Sequence, residues 1–142
     1  MIETIKHSDK ILAYILRSDF NKDGISFFTP NDFSQQLGYM SRPKGYKIAP
    51  HIHKPVSREV KLTQEVLFIK SGKIRVDFYD EKKAYLESRI VKKGDVILLA
   101  YGGHGFEILE PAEMIEVKQG PYSGDDDKTR FDHVDNFKLN LK

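Results

Sequence analysis

The stretch Val66-Leu67-Phe68-Ile69-Lys70-Ser71-Gly72-Lys73-Ile74-Arg75-Val76-Asp77-Phe78-Tyr79-Asp80 decides the fold class. In its second half Ile74, Val76 and Phe78 alternate with Arg75, Asp77 and Tyr79. That is the two-residue period of a strand with one face toward a core and the other toward water. The first half, Val66 to Ser71, is dense in apolar and β-branched residues, and Ser71-Gly72-Lys73 reads as the turn of a hairpin between the two arms.

The same grammar extends outward in both directions. Downstream, Glu81-Lys82-Lys83 is a charged turn, Tyr85 to Val91 a strand, Lys93-Gly94-Asp95 a second turn and Val96 to Leu99 an apolar strand. After the Gly102-Gly103 break, Phe106 to Leu109 and Met114 to Val117 read as strands paired around Glu110-Pro111-Ala112, with Glu116 and Lys118 on the wet face. Upstream, Ile11 to Arg17 and Ile25 to Phe28 form an expected hairpin across Asn21-Lys22-Asp23-Gly24. Gln35 to Ser41 and Tyr46 to His53 form another across Arg42-Pro43-Lys44-Gly45. No apolar pattern of helical period and helix length interrupts the series. Short strands without helices to cover a sheet predict a closed all-β sandwich or barrel, of which the jelly roll is the expected form. One domain, 1–142, is expected, with strands at 11–28 ahead of a core barrel at 35–119. The polar, acidic tail, 120–142, is expected to pack along the barrel or fray.

Composition narrows the chemistry. Among 142 residues, 23 basic and 21 acidic side chains nearly cancel, which predicts no general field for nucleic acid or an anionic membrane. Cysteine is absent, so disulfides, thiolate nucleophiles and thiolate metal clusters are excluded, and any metal must sit on nitrogen and oxygen ligands. The opening residues are charged and no run of about 18 apolar residues occurs, so a cytoplasmic location is the expectation. Asp19-Phe20-Asn21-Lys22-Asp23-Gly24 imitates the start of a calcium loop, but the position that must supply a bidentate glutamate is Pro30.

His51-Ile52-His53 is the strongest chemical feature, because two imidazoles two residues apart on a strand share a face and can grip one ion. Glu65 opens the next strong strand, and His104 follows the Gly-Gly step on a later one. Arg58 and Lys61, in the loop between, suit a ligand carboxylate or phosphate, and Lys47 has the parity of His51.

In this pattern the sequence resembles the cupin superfamily. Gly45, His51, His53, Glu65 and Gly72 follow its first motif, although the eleven residues between His53 and Glu65 make a long spacer. Gly94 through Gly103 to His104 resembles the second motif. The resemblance implies a double-stranded β-helix barrel in which His51, His53, Glu65 and His104 hold one divalent transition metal: iron, manganese, nickel, cobalt or zinc. It also implies a metal-dependent isomerase, lyase or oxygenase acting on a small oxygen-rich metabolite such as a sugar derivative or keto acid. A non-catalytic small-ligand module and a metal-free epimerase or ketoisomerase with a histidine base are the alternatives. The partner expected is a small molecule, with edge strands offering a homodimer contact.

Overall fold

The computed structural model describes residues 1–142. It is all-β, with eight strands and only two short 3₁₀ turns, at Gly124–Asp127 and Asn136–Lys138. The strands are β1 (Ile2–His7), β2 (Lys10–Leu16), β3 (Gly24–Phe27), β4 (Gly38–Ser41), β5 (Glu65–Tyr79), β6 (Tyr85–Lys92), β7 (Val96–Leu99) and β8 (Gly103–Lys118). Six of them form one antiparallel sheet, ordered β1-β2-β7-β5-β6, with β8 also paired to β5. β3 and β4 form a separate ribbon. No helix is long and apolar enough to cross a membrane.

β5 organises everything else. Its first half pairs with β7 on one side (Glu65 opposite Leu99) and with the end of β8 on the other (Glu65 opposite Lys118). Its second half pairs with β6 (Ile74 opposite Val91) and with the start of β8 (Phe78 opposite His104). Ile69 and Ile74 are five positions apart, an odd interval that on a regular strand would set them on opposite faces. Register shifts between Ile69 and Ile74 reset the phase, so Leu67, Ile69, Ile74, Val76 and Phe78 all enter one core cluster. The sheet thereby curls into a half-barrel whose concave side holds Ile5, Ile15, Val91, Ile97 and Leu99 as well. Each such side chain, fully buried, stabilises by about 1.5–3 kcal/mol.

Gly72 sits at the curl with φ +81°, where a Cβ would lie 2.7 Å from both Cα and Cβ of Ala112 and overlap the Pro111 carbonyl. Only glycine combines that left-handed conformation with so close an approach. The residue is therefore a bulge within one 15-residue strand and not the hairpin turn that its sequence suggests. Likewise 103–118 is a single strand running antiparallel to β5, not two strands around Pro111.

The convex side is covered in two places. Over β2 and β7, Tyr14, Leu37, Leu98 and Ala100 form a second cluster with Phe28 and Phe33 from the region of the β3–β4 ribbon. Ile25 and its strand pair with β4 and not with β2, whose partners are β1 and β7; the expected hairpin across Asn21–Gly24 is absent. Over β5 and β6 lies the tail. Tyr79 stacks edge-on against Phe131 with centroids 5.0 Å apart, its hydroxyl accepts from the Val134 amide at 3.0 Å, and Leu141 bridges to Ser88.

That cover changes the reading of Arg75, Asp77 and Tyr79, which the alternation had placed in water. All three are buried, because the tail seals their face. Asp77 accepts from Arg75 Nε at 2.7 Å, from Arg75 Nη2 at 3.0 Å and from Ser88 Oγ at 2.5 Å. The Asp77 carboxylate raises the guanidinium pKa of Arg75 above its already high usual value. A second buried carboxylate, Asp95, accepts from Arg17 Nη1 at 2.8 Å and from the amides of Ser18 and Lys92, tying the β6–β7 turn to the end of β2.

Candidate functional site

Glu65 shares its face of β5 with Leu67 and Ile69, and His104 stands opposite Phe78, so both side chains look to the concave side of the sheet. Along a straight strand the thirteen steps from Glu65 to Phe78 would cover about 43 Å at the usual rise. Instead, His104 Nε2 lies 3.1 Å from Glu65 Oε2. The curl at Gly72 has folded the β5–β8 ribbon until its two ends meet. Gly102, with φ +73° and the Tyr79 carbonyl 2.5 Å from where its Cβ would be, makes the turn that delivers His104 to β8.

The pair is mostly buried, its side chains retaining 28% exposure at His104 and 12% at Glu65. The hydrogen bond from His104 holds the Glu65 carboxyl below the usual carboxylate range, against burial, which pushes it up; Lys118 and Lys128 add to the lowering. An ionised carboxylate can only accept, so Nε2 of His104 carries the proton. In the neutral ring Nδ1 then presents a lone pair; it has no hydrogen-bond partner within the chain and is not sealed from solvent. The Phe106 ring packs beside the imidazole at 5.5 Å between centroids.

His51 and His53 are placed differently from the sequence expectation. Residues 42–64 form no strand. Pro43, Pro50 and Pro55 cannot donate to a ladder, and no partner strand lies beside them. The two rings meet each other edge-on at 5.1 Å, while Ile52 between them is 93% exposed and His51 Nδ1 donates to the Ala49 carbonyl at 3.0 Å. Donor chemistry suits a divalent metal in kind, and the 3.1 Å separation of Glu65 and His104 matches adjacent corners of a coordination sphere with bonds of about 2.1 Å. The number does not suffice, because no group of three or more His, Asp or Glu residues comes together anywhere in the chain. As placed, the four residues form two separate pairs and do not fit one ion.

No family model, curated protein or solved structure matches this chain. The site must be read from its own geometry.

Of the other residues singled out in the sequence, Lys47 and Arg58 are exposed on the 42–64 loop, with Arg58 donating to the Val56 carbonyl at 3.4 Å. Lys61 is paired with Glu59 at 3.4 Å and lines a cleft on the convex side. Lys118, which the alternation places on the wet face, is half-buried beside the site. Its position directly across from Glu65 follows from the β5–β8 register alone, and no local pattern reports a pairing between segments so far apart.

Proposed function

We propose that the concave mouth of this half-barrel binds a small oxygen-rich metabolite and that His104, oriented by Glu65, moves a proton on it. The observation that carries this is the 3.1 Å bond between His104 Nε2 and Glu65 Oε2. A carboxylate that fixes one ring nitrogen as a donor leaves the other as a general base of defined direction, and such a base contributes roughly 10²–10⁴-fold to a proton transfer. Lys118, opposite Glu65 and with its ammonium over the Tyr122 ring at 5.8 Å, would supply positive charge near a carbonyl oxygen that develops negative charge as the C–H proton leaves. A sugar or keto acid bearing an acidic C–H beside a carbonyl is the substrate class that this arrangement suits. The all-β curl is compatible with the cupin-type barrel that the sequence motifs resemble, and we propose that architecture for it.

The test is wash-in of solvent deuterium, followed by proton NMR, across a panel of aldoses, ketoses and keto acids. One member is expected to lose a single C–H signal, and His104→Gln is expected to slow that loss by about 10²-fold or more. Exchange that is insensitive to His104→Gln would remove the proposal.

A second reading, a metal-dependent enzyme or a metal-containing binding module, is favoured by one observation. His51 and His53 already sit 5.1 Å apart, on the loop that leads into Glu65. Stoichiometric iron, manganese, nickel, cobalt or zinc in protein purified without chelator, lost in His51→Ala/His53→Ala, would shift the assignment to it.

A further inference from the structure

Gln64 immediately precedes Glu65, the first residue of β5, and a site of its own lies around it. A cleft of about 500 Å³ opens there, on the convex side, lined by Ile11, Phe33, Leu62 and Tyr101 with Gln64 in its wall. That volume falls within the range of small-molecule sites. Gln64 is only 4% exposed. Its Oε1 accepts from Ser34 Oγ at 3.1 Å and from the Gln35 amide at 3.0 Å, and its main-chain carbonyl accepts from Gln35 Nε2 at 3.0 Å and from the Gln119 amide at 2.9 Å.

Those bonds fix which end of the carboxamide is oxygen, so the NH₂ end points the other way. It makes no hydrogen bond within the chain, and it is not a sealed, unpartnered side-chain polar atom, of which Gln119 Oε1 is the one example. A buried amide in the wall of a cleft, with one end fully bonded and the other unpartnered, is a donor waiting for an acceptor. At the rim Lys61 is engaged by Glu59 at 3.4 Å and the Lys10 ammonium lies over the Tyr101 ring at 5.7 Å, while Asp9 and Asp32, which form no ion pair, disfavour an anionic ligand.

We infer that this cleft binds a neutral small molecule with an apolar, ring-sized body and one carbonyl oxygen, which takes the free N–H of Gln64. The site is separate from the Glu65–His104 pair, because Ile11, Phe33 and Ala100 of its lining belong with the convex cluster around Tyr14 and Leu98, while Glu65 shares its face with Leu67 and Ile69 of the concave core.

The experiment is a titration of the ¹⁵N-labelled full chain with acetophenone and, separately, with ethylbenzene, which has the same ring and no acceptor. Acetophenone is expected to shift the Gln64 side-chain NH₂ resonances saturably and to bind about fivefold or more tightly than ethylbenzene, the worth of one hydrogen bond. Gln64→Glu keeps the acceptor for Ser34 and Gln35 and replaces the donor, so it should abolish the preference for acetophenone. Leu62→Trp, at a half-exposed position on the cleft wall, should block both compounds while leaving the rest of the spectrum in place. No saturable shift at Gln64, equal affinity for the two compounds, or shifts confined to His104 would overturn the inference. None of those results touches the proton-transfer proposal, whose readout is on the other face.

Discussion

Replacing Asp77 by alanine is expected to destabilise the protein by about 3–5 kcal/mol, the range for removing one partner of a buried ion pair. Asp77 has no exposed surface, and it is the carboxylate that neutralises Arg75 from two directions, at 2.7 and 3.0 Å, while also accepting from Ser88. Truncation leaves the Arg75 guanidinium, whose side chain is 8% exposed, with Glu107 as its remaining counter-charge, and strands the Ser88 hydroxyl that Tyr85 also contacts. Replacing both charges, as in Arg75→Met with Asp77→Leu, should cost less than Asp77→Ala alone, because the one charge then left unpaired, Glu107, is half-exposed and not buried. Urea unfolding of the three proteins measures this. A loss below about 1 kcal/mol in Asp77→Ala would mean that the tail does not seal this face as described.

Gly72→Ala is the second large effect, expected at roughly 2–5 kcal/mol from the left-handed conformation together with forced overlap. The added methyl would press on Ala112, 2.7 Å away, and on the Pro111 carbonyl, both belonging to the paired strand β8. Flexible side chains could yield, but two backbone segments held in one ladder cannot separate without loosening the curl. Gly45→Ala is the matching control: φ is +86° there too, with nothing within 4 Å of the added atom. It should cost only the conformational part, about 1–2 kcal/mol. Equal losses at the two positions in denaturant unfolding would show that the close packing at Gly72 contributes nothing.

Local sequence carried the fold as far as local sequence can. Tyr85–Lys92 and Val96–Leu99 stand where alternation, apolar runs and the Gly94-Asp95 turn place them, because each strand is short and bounded by its own punctuation. Gly72 and Pro111 were misread for one reason. A glycine or proline between two apolar arms has the same signature whether the chain reverses or merely bulges, and the choice is made by the pairing of β5 with β8 across distant sequence. The sequence reading begins its strands at Ile11, yet Ile2–His7 forms one as well, since β2 supplies its ladder and only Ile5 need enter the core. At the site, Glu65 and His104 were visible as donors but their contact was not, being a product of the curl. His51 and His53 were visible as a chelating pair only on the premise of a strand, which the prolines around them deny. For Gln64 alternation gives only a direction away from the side of Glu65; that its amide lacks a partner is defined by its neighbours in space.

The meeting of the two ribbon ends is tested most directly by a double-mutant cycle on unfolding free energy with Glu65→Ala, His104→Ala and the combined protein. At pH 7 the cycle should give a coupling of about 0.5–3 kcal/mol. The Glu65 carboxyl is lowered in the folded state, so its share is fully present above the ordinary glutamate range near 4.3 and disappears as pH falls through the folded value. Strictly additive losses at pH 7 would contradict the account, since they would mean that these two side chains, from opposite ends of β5 and β8, never touch.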